Sequence, residues 1–255
     1  MSTKYYQRST ATDEESNVPL FTQEGDFNPE EWQDKKIRHG FLKKVFSIVS
    51  LQLLFTFGVT WLCRDDSVKT FVQDPNNNYL VLFAYVGLIS VMIALVCCDR
   101  VARTYPTNYF VLALLTFFES YLLGILTSYY DTDIVFWAEI ITISVTIALT
   151  IYAIQTKYDF TTMGSMLLGG LVVLIIFGLI NIFVQNQITN MIYSSLGALV
   201  FSFYLIYDVQ LIAGGSHRKY QLAPTDYIFA AVCIYLDIIN LFIFILQLLN
   251  GGRRN

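Results

Sequence analysis

Seven long apolar stretches, separated by short polar segments, run along most of the chain. Each has about 20 residues, the length that crosses a bilayer as a helix. Only helices satisfy the backbone hydrogen bonds of such segments in lipid, so the pattern predicts an all-α, polytopic bundle of seven transmembrane helices. The predicted spans are residues 45–62, 79–96, 109–129, 134–154, 163–184, 192–212 and 227–249.

The composition supports a membrane protein. Hydrophobic residues make up 55% of the chain and charged residues 14%, and the mean hydropathy is +0.52. Much of the acid lies before residue 40 among polar residues, which is typical of a disordered segment. We therefore divide the chain into a disordered acidic tail, residues 1–40, and a transmembrane domain, residues 41–255. The net charge of −4 indicates little about partners. We expect the protein to lie in the lipid bilayer and to bind no nucleic acid.

Lysine and arginine near the span ends predict the orientation. One side collects ten of them and the other side four, which favours a cytosolic N-terminus and a C-terminus across the membrane. A last segment that re-enters the membrane would instead leave both ends on the cytosolic side.

Four carboxylic acids fall inside the predicted spans, and no lysine or arginine does: these are Glu119, Glu139, Asp208 and Asp237. An acid in the membrane is protonated, paired with a cation from an edge, or exposed to a water-filled cavity. Each option points to protons or cations.

Asp208 and Asp237 lie in successive antiparallel spans, on helix faces that also carry small residues such as Gly197 and Ala230. Small residues allow close helix approach, so the register decides whether the two acids meet. Two carboxyl groups that meet in a low dielectric share a proton and titrate as a coupled pair. The alternative is that each aspartate bonds a neighbouring carbonyl.

A polar stripe marks the fourth span, where Glu139, Thr142, Thr146 and Thr150 recur at helical spacing. The stripe lines a hydrophilic path, or its threonines bond back to carbonyls of their own helix. Glu119 is surrounded by leucines and is either functional or the partner of an arginine at a membrane edge.

Two arginines follow the end of the second span. Arg100 and Arg103 are the cations best placed to meet Asp208, although both also fit a topology role. Neighbouring Cys97 and Cys98 are read as buried packing thiols, with palmitoylation as the alternative. No cysteine spacing suggests a metal site or a disulfide framework, so no cofactor is expected.

Several motifs together resemble the transmembrane Bax-inhibitor-motif family, and its lifeguard branch in particular. They are SLGALVFS at residues 195–202, YDVQ at 207–210, DY at 226–227, YLDIINLF at 235–242 and KYDFT at 157–161. The resemblance implies a seven-helix protein of the endoplasmic reticulum or Golgi that lets Ca²⁺ leak from stores and suppresses cell death. It implies partners among cell-death regulators or other membrane channels.

The resemblance also implies roles for single residues. Asp208 and Asp237 match the family's proton-sensitive latch, and Arg100 or Arg103 matches the arginine that closes the pore on the first acid. Since Ca²⁺ prefers carboxylate oxygens, the two aspartates are candidate Ca²⁺ contacts. Glu139, the threonine stripe and Glu119 are candidates for the ion path.

Three other functions compete with a channel. Tyr207-Asp208 fits half of an intramembrane aspartyl protease, whose two acids activate water, but residues 235–237 lack the Gly-x-Gly-Asp motif. A seven-helix receptor is disfavoured because Asp99-Arg100-Val101 closes the second span instead of the third. A membrane regulator that acts on protein partners and conducts no ions remains an alternative. Because half of the protease motif is missing, we expect no enzyme activity.

Overall fold

The structure, a computed structural model, describes residues 35–184, 186–214 and 218–253, without the side chains of residues 35, 36, 99, 100 and 253. Most of the predicted acidic tail lies outside these residues.

Nine α-helices and no strands occur in this part of the chain, and seven of the helices are long and apolar enough to cross a membrane. The predicted all-α bundle of seven spans is confirmed. The helices are α1 (Lys35–Leu62), α2 (Asp66–Gln73), α3 (Asn78–Cys97), α4 (Asp99–Arg103), α5 (Thr107–Ser128), α6 (Thr132–Gln155), α7 (Gly164–Val184), α8 (Gln187–Ala213) and α9 (Tyr227–Arg253). Short 3₁₀ turns cover Pro75–Asn77, Phe160–Met163 and Pro224–Asp226.

Polar residues set the ends of several helices. Asn186 accepts a hydrogen bond from the Ile188 N–H and caps the start of α8, and Asp65 does the same for α2 through the Ser67 N–H. Gly214 follows α8 with a φ of 56°, a left-handed conformation that glycine adopts without steric cost. The apolar pattern predicts the spans, but not α2 and α4, because these helices are short and carry charges.

The last helix lies at the centre of the bundle. In α9, 72% of the apolar window is buried, against 11% in α7 and 17% in α3. Helix α9 packs against α8, α6, α1 and α5, whereas α7 packs on α8 and α3 on α5. The side chains of α9 are therefore enclosed by protein, and α3 and α7 face outward.

The two ends of the bundle are distinct. At one end, which we call the near end, the start of α1, the end of α8 and the start of α9 share a core that includes Phe41, Ile212 and Ala230. At the far end, Gln187 at the start of α8 donates to the carbonyl of Gly251 near the end of α9. Helix α9 is unbroken between these ends, so the alternative of a re-entrant last segment is wrong.

The exposure of two cysteines corrects one interpretation. Cys97 and Cys98 are both exposed, so the prediction that they are buried packing thiols is wrong. They lie at the end of α3, which has a lipid-facing surface and turns into the short helix α4. The buried thiol in the described part of the chain is Cys63, and burial raises its pKa.

Two buried polar side chains hold the α6–α7 connection at the near end. Gln210, which is fully buried, accepts from the Phe160 N–H at 2.8 Å and donates to the carbonyls of Ala153 and Tyr158 at 3.2 and 3.0 Å. Arg218 donates to the carbonyls of Ala153, Thr156 and Tyr158. These contacts satisfy carbonyls that the end of α6 leaves without helical partners.

The Gln210 contacts predict a stability effect. Gln210→Met keeps the approximate size of the side chain but removes its donor and acceptor, so buried backbone groups lose partners. We expect the free energy of unfolding to fall by about 1–3 kcal/mol, measured by thermal unfolding in detergent. Gln155→Met, at an exposed position of α6, is the matched control and should have little effect. Equal stability of the two variants would contradict a stabilising role for the Gln210 hydrogen bonds.

Candidate functional site

Asp208 and Asp237 meet across the seam between α8 and α9. Their carboxyl groups lie close enough to form a side-chain hydrogen bond. Asp237 is 6% exposed and Asp208 is half-buried. A carboxylate has no hydrogen to donate, so such a bond would require a proton on one of the two groups. The register of α8 and α9, which the sequence did not determine, thus brings the two acids together.

Three side chains surround the pair. Tyr204 and Tyr207 on α8 and Cys233 on α9 lie within electrostatic range of the acids. Asp237 retains one oxygen, Oδ2, that is buried and has no hydrogen-bond partner in the described part of the chain. Buried polar atoms are seldom left unpaired, so this oxygen marks a place where a proton, water or cation would be stabilised.

The threonine stripe of α6 divides into two parts. The hydroxyl of Thr142 donates to the Ala138 carbonyl at 2.7 Å, as expected for a threonine that bonds back to its own helix. The hydroxyls of Thr146 and Thr150 are buried and have no partner among the described residues. The back-bonding alternative therefore describes Thr142 but not the other two.

These two hydroxyls belong to a helix that packs against both helices of the acid pair. Thr150 and Thr146 lie five and nine residues from the near end of α6, about 7 and 14 Å. Helix α6 packs against both α8 and α9. Unpartnered hydroxyls thus occur in the near half of a helix that adjoins the two acids.

Glu139 has a partner that the sequence did not predict. Nη2 of Arg64, which follows α1 at the far end, lies 2.8 Å from Oε1 of Glu139, and the two side chains are 11% and 17% exposed. The Thr60 side chain lies close to Glu139, while its hydroxyl donates to the Phe57 carbonyl at 2.9 Å. Since Arg64 falls outside the apolar stretch, hydropathy gave no sign that its side chain reaches back into the bundle.

Glu119 is half-buried in α5 and has neither an ion pair nor a hydrogen bond among the described residues. The predicted pairing with an edge arginine is therefore not found there. Tyr235 on α9 lies within electrostatic range of Glu119.

The structure gives Arg103 a different acid. Its Nε lies 3.0 Å from Oδ1 of Asp226, immediately before α9, and Asp226 is 3% exposed. The side chain of Arg100 is not among the described groups. The assignment of either arginine to a gate on Asp208 stays a prediction.

A buried polar cluster between α1, α5 and α9 was missed by the sequence analysis. Gln52 donates to Thr116 at 2.8 Å, and Thr56 bonds both Ser120 at 2.8 Å and the Tyr235 hydroxyl at 2.9 Å. A signal was present, since Gln52, Thr56 and Thr60 recur every four residues on one face of α1. The cluster ties the central helix to α1 and α5 two residues from Asp237.

The acids do not form a closed metal site. In residues 35–184, 186–214 and 218–253, no three His, Cys, Asp or Glu side chains come together to hold a metal ion. Two carboxyl groups supply fewer oxygens than the six to eight that enclose Ca²⁺ in dedicated sites, so the pair suits a transient contact better than storage of the ion.

The fold and these groups define a polytopic membrane protein whose membrane-spanning helices carry carboxylic acids. Residues 38–255 match the family described as "Inhibitor of apoptosis-promoting Bax1". The chain belongs to this Bax inhibitor family, which confirms the resemblance predicted from its last two spans.

Named relatives are similar over most of their length. The chain is 38% identical to human "Protein lifeguard 3" over 90% of this chain and 73% of that protein, and 36% identical to the mouse protein of the same name over 89% and 74%. It is 37% identical to the "Golgi anti-apoptotic protein" of Vaccinia virus (strain Lister), over 86% of this chain and 88% of the viral protein.

The Arg64–Glu139 ion pair predicts a thermodynamic coupling. Glu139→Gln leaves the largely buried Arg64 guanidinium without its counter-charge, which should lower the free energy of unfolding by about 1.5–3 kcal/mol. The double variant Arg64→Gln/Glu139→Gln carries no unpaired charge, so it should lose less than the sum of the two single variants. Thermal unfolding of the four proteins in detergent measures the coupling, and strictly additive losses would contradict a direct interaction.

Proposed function

We propose that this protein is a proton-sensitive Ca²⁺ leak channel of intracellular membranes, gated by Asp208 and Asp237. The observation that carries the proposal is the close approach of the two carboxyl groups inside the bundle, which lets them share a proton in a hydrogen bond. Loss of the shared proton removes that bond and leaves two negative charges in contact, which repel strongly in a low dielectric. The packing of α8 on α9 therefore becomes dependent on protonation.

The ion path runs beside the pair, along α6. Thr146 and Thr150 supply unpartnered hydroxyls, and Glu139 and Thr142 continue the same face toward the far end. Hydroxyl and carboxylate oxygens are ligands that replace the water shell of a hard cation such as Ca²⁺. Glu119 is a further acid of this interior and contributes to its negative potential. Asp208 and Asp237 contact the ion as it passes.

An arginine at the near end closes the path. When the pair is fully ionised, Arg100 or Arg103 moves onto Asp208 and blocks the ion; protonation releases it. For Arg103 this requires exchange of Asp226 for Asp208 as its partner. Acidification thus opens the channel. The expected orientation puts this end and the N-terminus in the cytosol.

The relatives support the cellular role. The family description and the name of the viral relative both refer to inhibition of apoptosis, and that relative is named for the Golgi. We assign the protein to the endoplasmic reticulum or Golgi, where a Ca²⁺ leak lowers the store content available to trigger cell death. Cell-death regulators or other membrane channels are its expected partners.

The gate predicts a change in pH dependence. In proteoliposomes, Ca²⁺ efflux through the wild type should rise as the pH falls, because protonation releases the arginine. Asp208→Asn removes one ionisable member of the pair, so the pH dependence of its efflux should change, and the double variant Asp208→Asn/Asp237→Asn should lose that dependence over the same range. The measurement is efflux of Ca²⁺ across a pH series, with the double variant Asp208→Asn/Asp237→Asn alongside.

Asp66→Asn is the control, since Asp66 is an exposed acid of α2 at the far end. Its pH profile should match that of the wild type. An unaltered profile for Asp208→Asn would remove the gate assignment. Absence of efflux from every protein, with cleavage of a transmembrane peptide that the double variant loses, would instead favour the protease alternative, which the contact between two acids also fits.

The channel hypothesis predicts a link between Ca²⁺ flux and cell survival. Cells that express the wild type should resist a cell-death stimulus, and cells that express Asp208→Asn/Asp237→Asn at equal abundance should lose both the altered Ca²⁺ store content and the resistance. Store content and survival are measured in the same cultures. Full resistance without any effect on stores would contradict the channel and favour a non-conducting regulator.

A further inference from the structure

A cavity at the far end and an aromatic side chain beneath it carry an inference that rests on the proposed conduction and extends it. We propose that this cavity is an outer vestibule of the Ca²⁺ path, a second branch toward the far end that follows the α8–α9 seam beside the branch along α6, and that the Phe244 ring, packed on Gly197, is the barrier between the vestibule and the aspartate pair.

The cavity has a volume of about 700 Å³ and lies between α7, α8 and α9. None of its described lining residues carries a charge, and amide and hydroxyl groups dominate the polar part of the wall. These groups belong to Asn181, Gln187, Asn190, Ser194, Gln247 and Asn250. Amide and hydroxyl oxygens bind a hydrated cation weakly, as a vestibule requires, because an ion that is held tightly does not move on.

One helix face connects the cavity to the acids. On α8, Ser194 lines the cavity and lies on the face of Gly197, Phe201 and Asp208. On α9, Gln247, Phe244, Asn240 and Asp237 share the facing side. Ser194 donates to Gln247 at 3.1 Å across this seam. The seam is therefore polar at the cavity and acidic at the pair.

An aromatic layer separates the two polar regions. The Phe244 ring is 6% exposed and fills the space that a side chain at position 197 would need, since a Cβ built on Gly197 would overlap the atoms of this ring. The ring stacks on Phe201 at 5.7 Å between centroids and meets Tyr193 edge-on at 5.4 Å. Phe244 lies about 10 Å along α9 from Asp237.

This layer has the properties of a hydrophobic barrier. A ring packed against a glycine backbone leaves no room for water, and a constriction without water stops a hydrated ion without any charge in it. The barrier is also local, because the cavity begins one turn above it at Gln247 and Asn240 lies one turn below. Removal of the ring alone should therefore join the cavity to the space around the acids.

The test uses a cysteine as a reporter behind the ring. In a background without the four native cysteines, Asn240→Cys is treated with a charged, membrane-impermeant thiol reagent in otherwise wild-type protein and in Phe244→Ala. We expect no labelling with Phe244 present, extensive labelling in Phe244→Ala, and a several-fold rise in Ca²⁺ efflux from proteoliposomes for that variant. Asn250→Cys, in the cavity wall, should react in both proteins.

Controls separate the barrier from general damage. Phe117→Ala removes an exposed ring of α5 and should change neither labelling nor efflux; Phe244→Leu keeps an apolar side chain and should stay closed. If Phe244→Ala does not fold, Phe244→Val gives a smaller opening with the same expected direction.

Two outcomes distinguish this inference from the proposed conduction. Wild-type efflux that Phe244→Ala leaves unchanged, with Asn240→Cys unreactive, would overturn the barrier while conduction stands. Labelling that depends on Phe244, with no efflux from any variant, would retain the barrier as a seal on the cavity and overturn its assignment to a Ca²⁺ path.

Discussion

The contact between two carboxyl groups on adjacent helices is the constraint on which the rest of this structure depends. Asp208 and Asp237 lie within hydrogen-bonding distance of each other inside the bundle, and a bond between them exists only while the pair holds a proton. The seam between α8 and α9 is the most extensive helix contact in the described part of the chain. Protonation at one point of that seam therefore affects the packing of the central helix.

The surroundings of the pair follow from the position of α9. Because this helix is enclosed by α1, α5, α6 and α8, its polar side chains must find partners in the protein. Tyr235 finds Thr56, Gln247 finds Ser194, and Asp237 finds Asp208. Asp237 Oδ2 and the hydroxyls of Thr146 and Thr150 have no hydrogen-bond partner among the described residues. Two of the helices in contact around the acids, α6 and α9, thus carry buried polar atoms that no described residue satisfies.

The sequence predicted the features that depend on local composition. Lipid requires long apolar helices, so the seven spans could be read directly, and acids inside them stood out against residues such as Leu236 and Ile238. Pairing across helices could not be read this way. Arg64 lies in a polar turn, and only tertiary packing brings it to Glu139; Arg103 lies near Asp226 because α4 meets the start of α9. The packing of the Phe244 ring against Gly197 likewise depends on the register of α8 and α9.

Infrared difference spectroscopy of the purified protein during a pH titration tests the shared proton most directly. The difference between the wild type and the variant that has asparagine at both positions should contain the carbonyl stretch of a protonated carboxyl group at neutral pH, and this difference band should disappear when the pair is ionised at higher pH. Glu119 and Glu139 are common to both proteins and cancel in the comparison. Identical carboxyl bands in the two proteins would show that the aspartates hold no proton between them and would contradict the account.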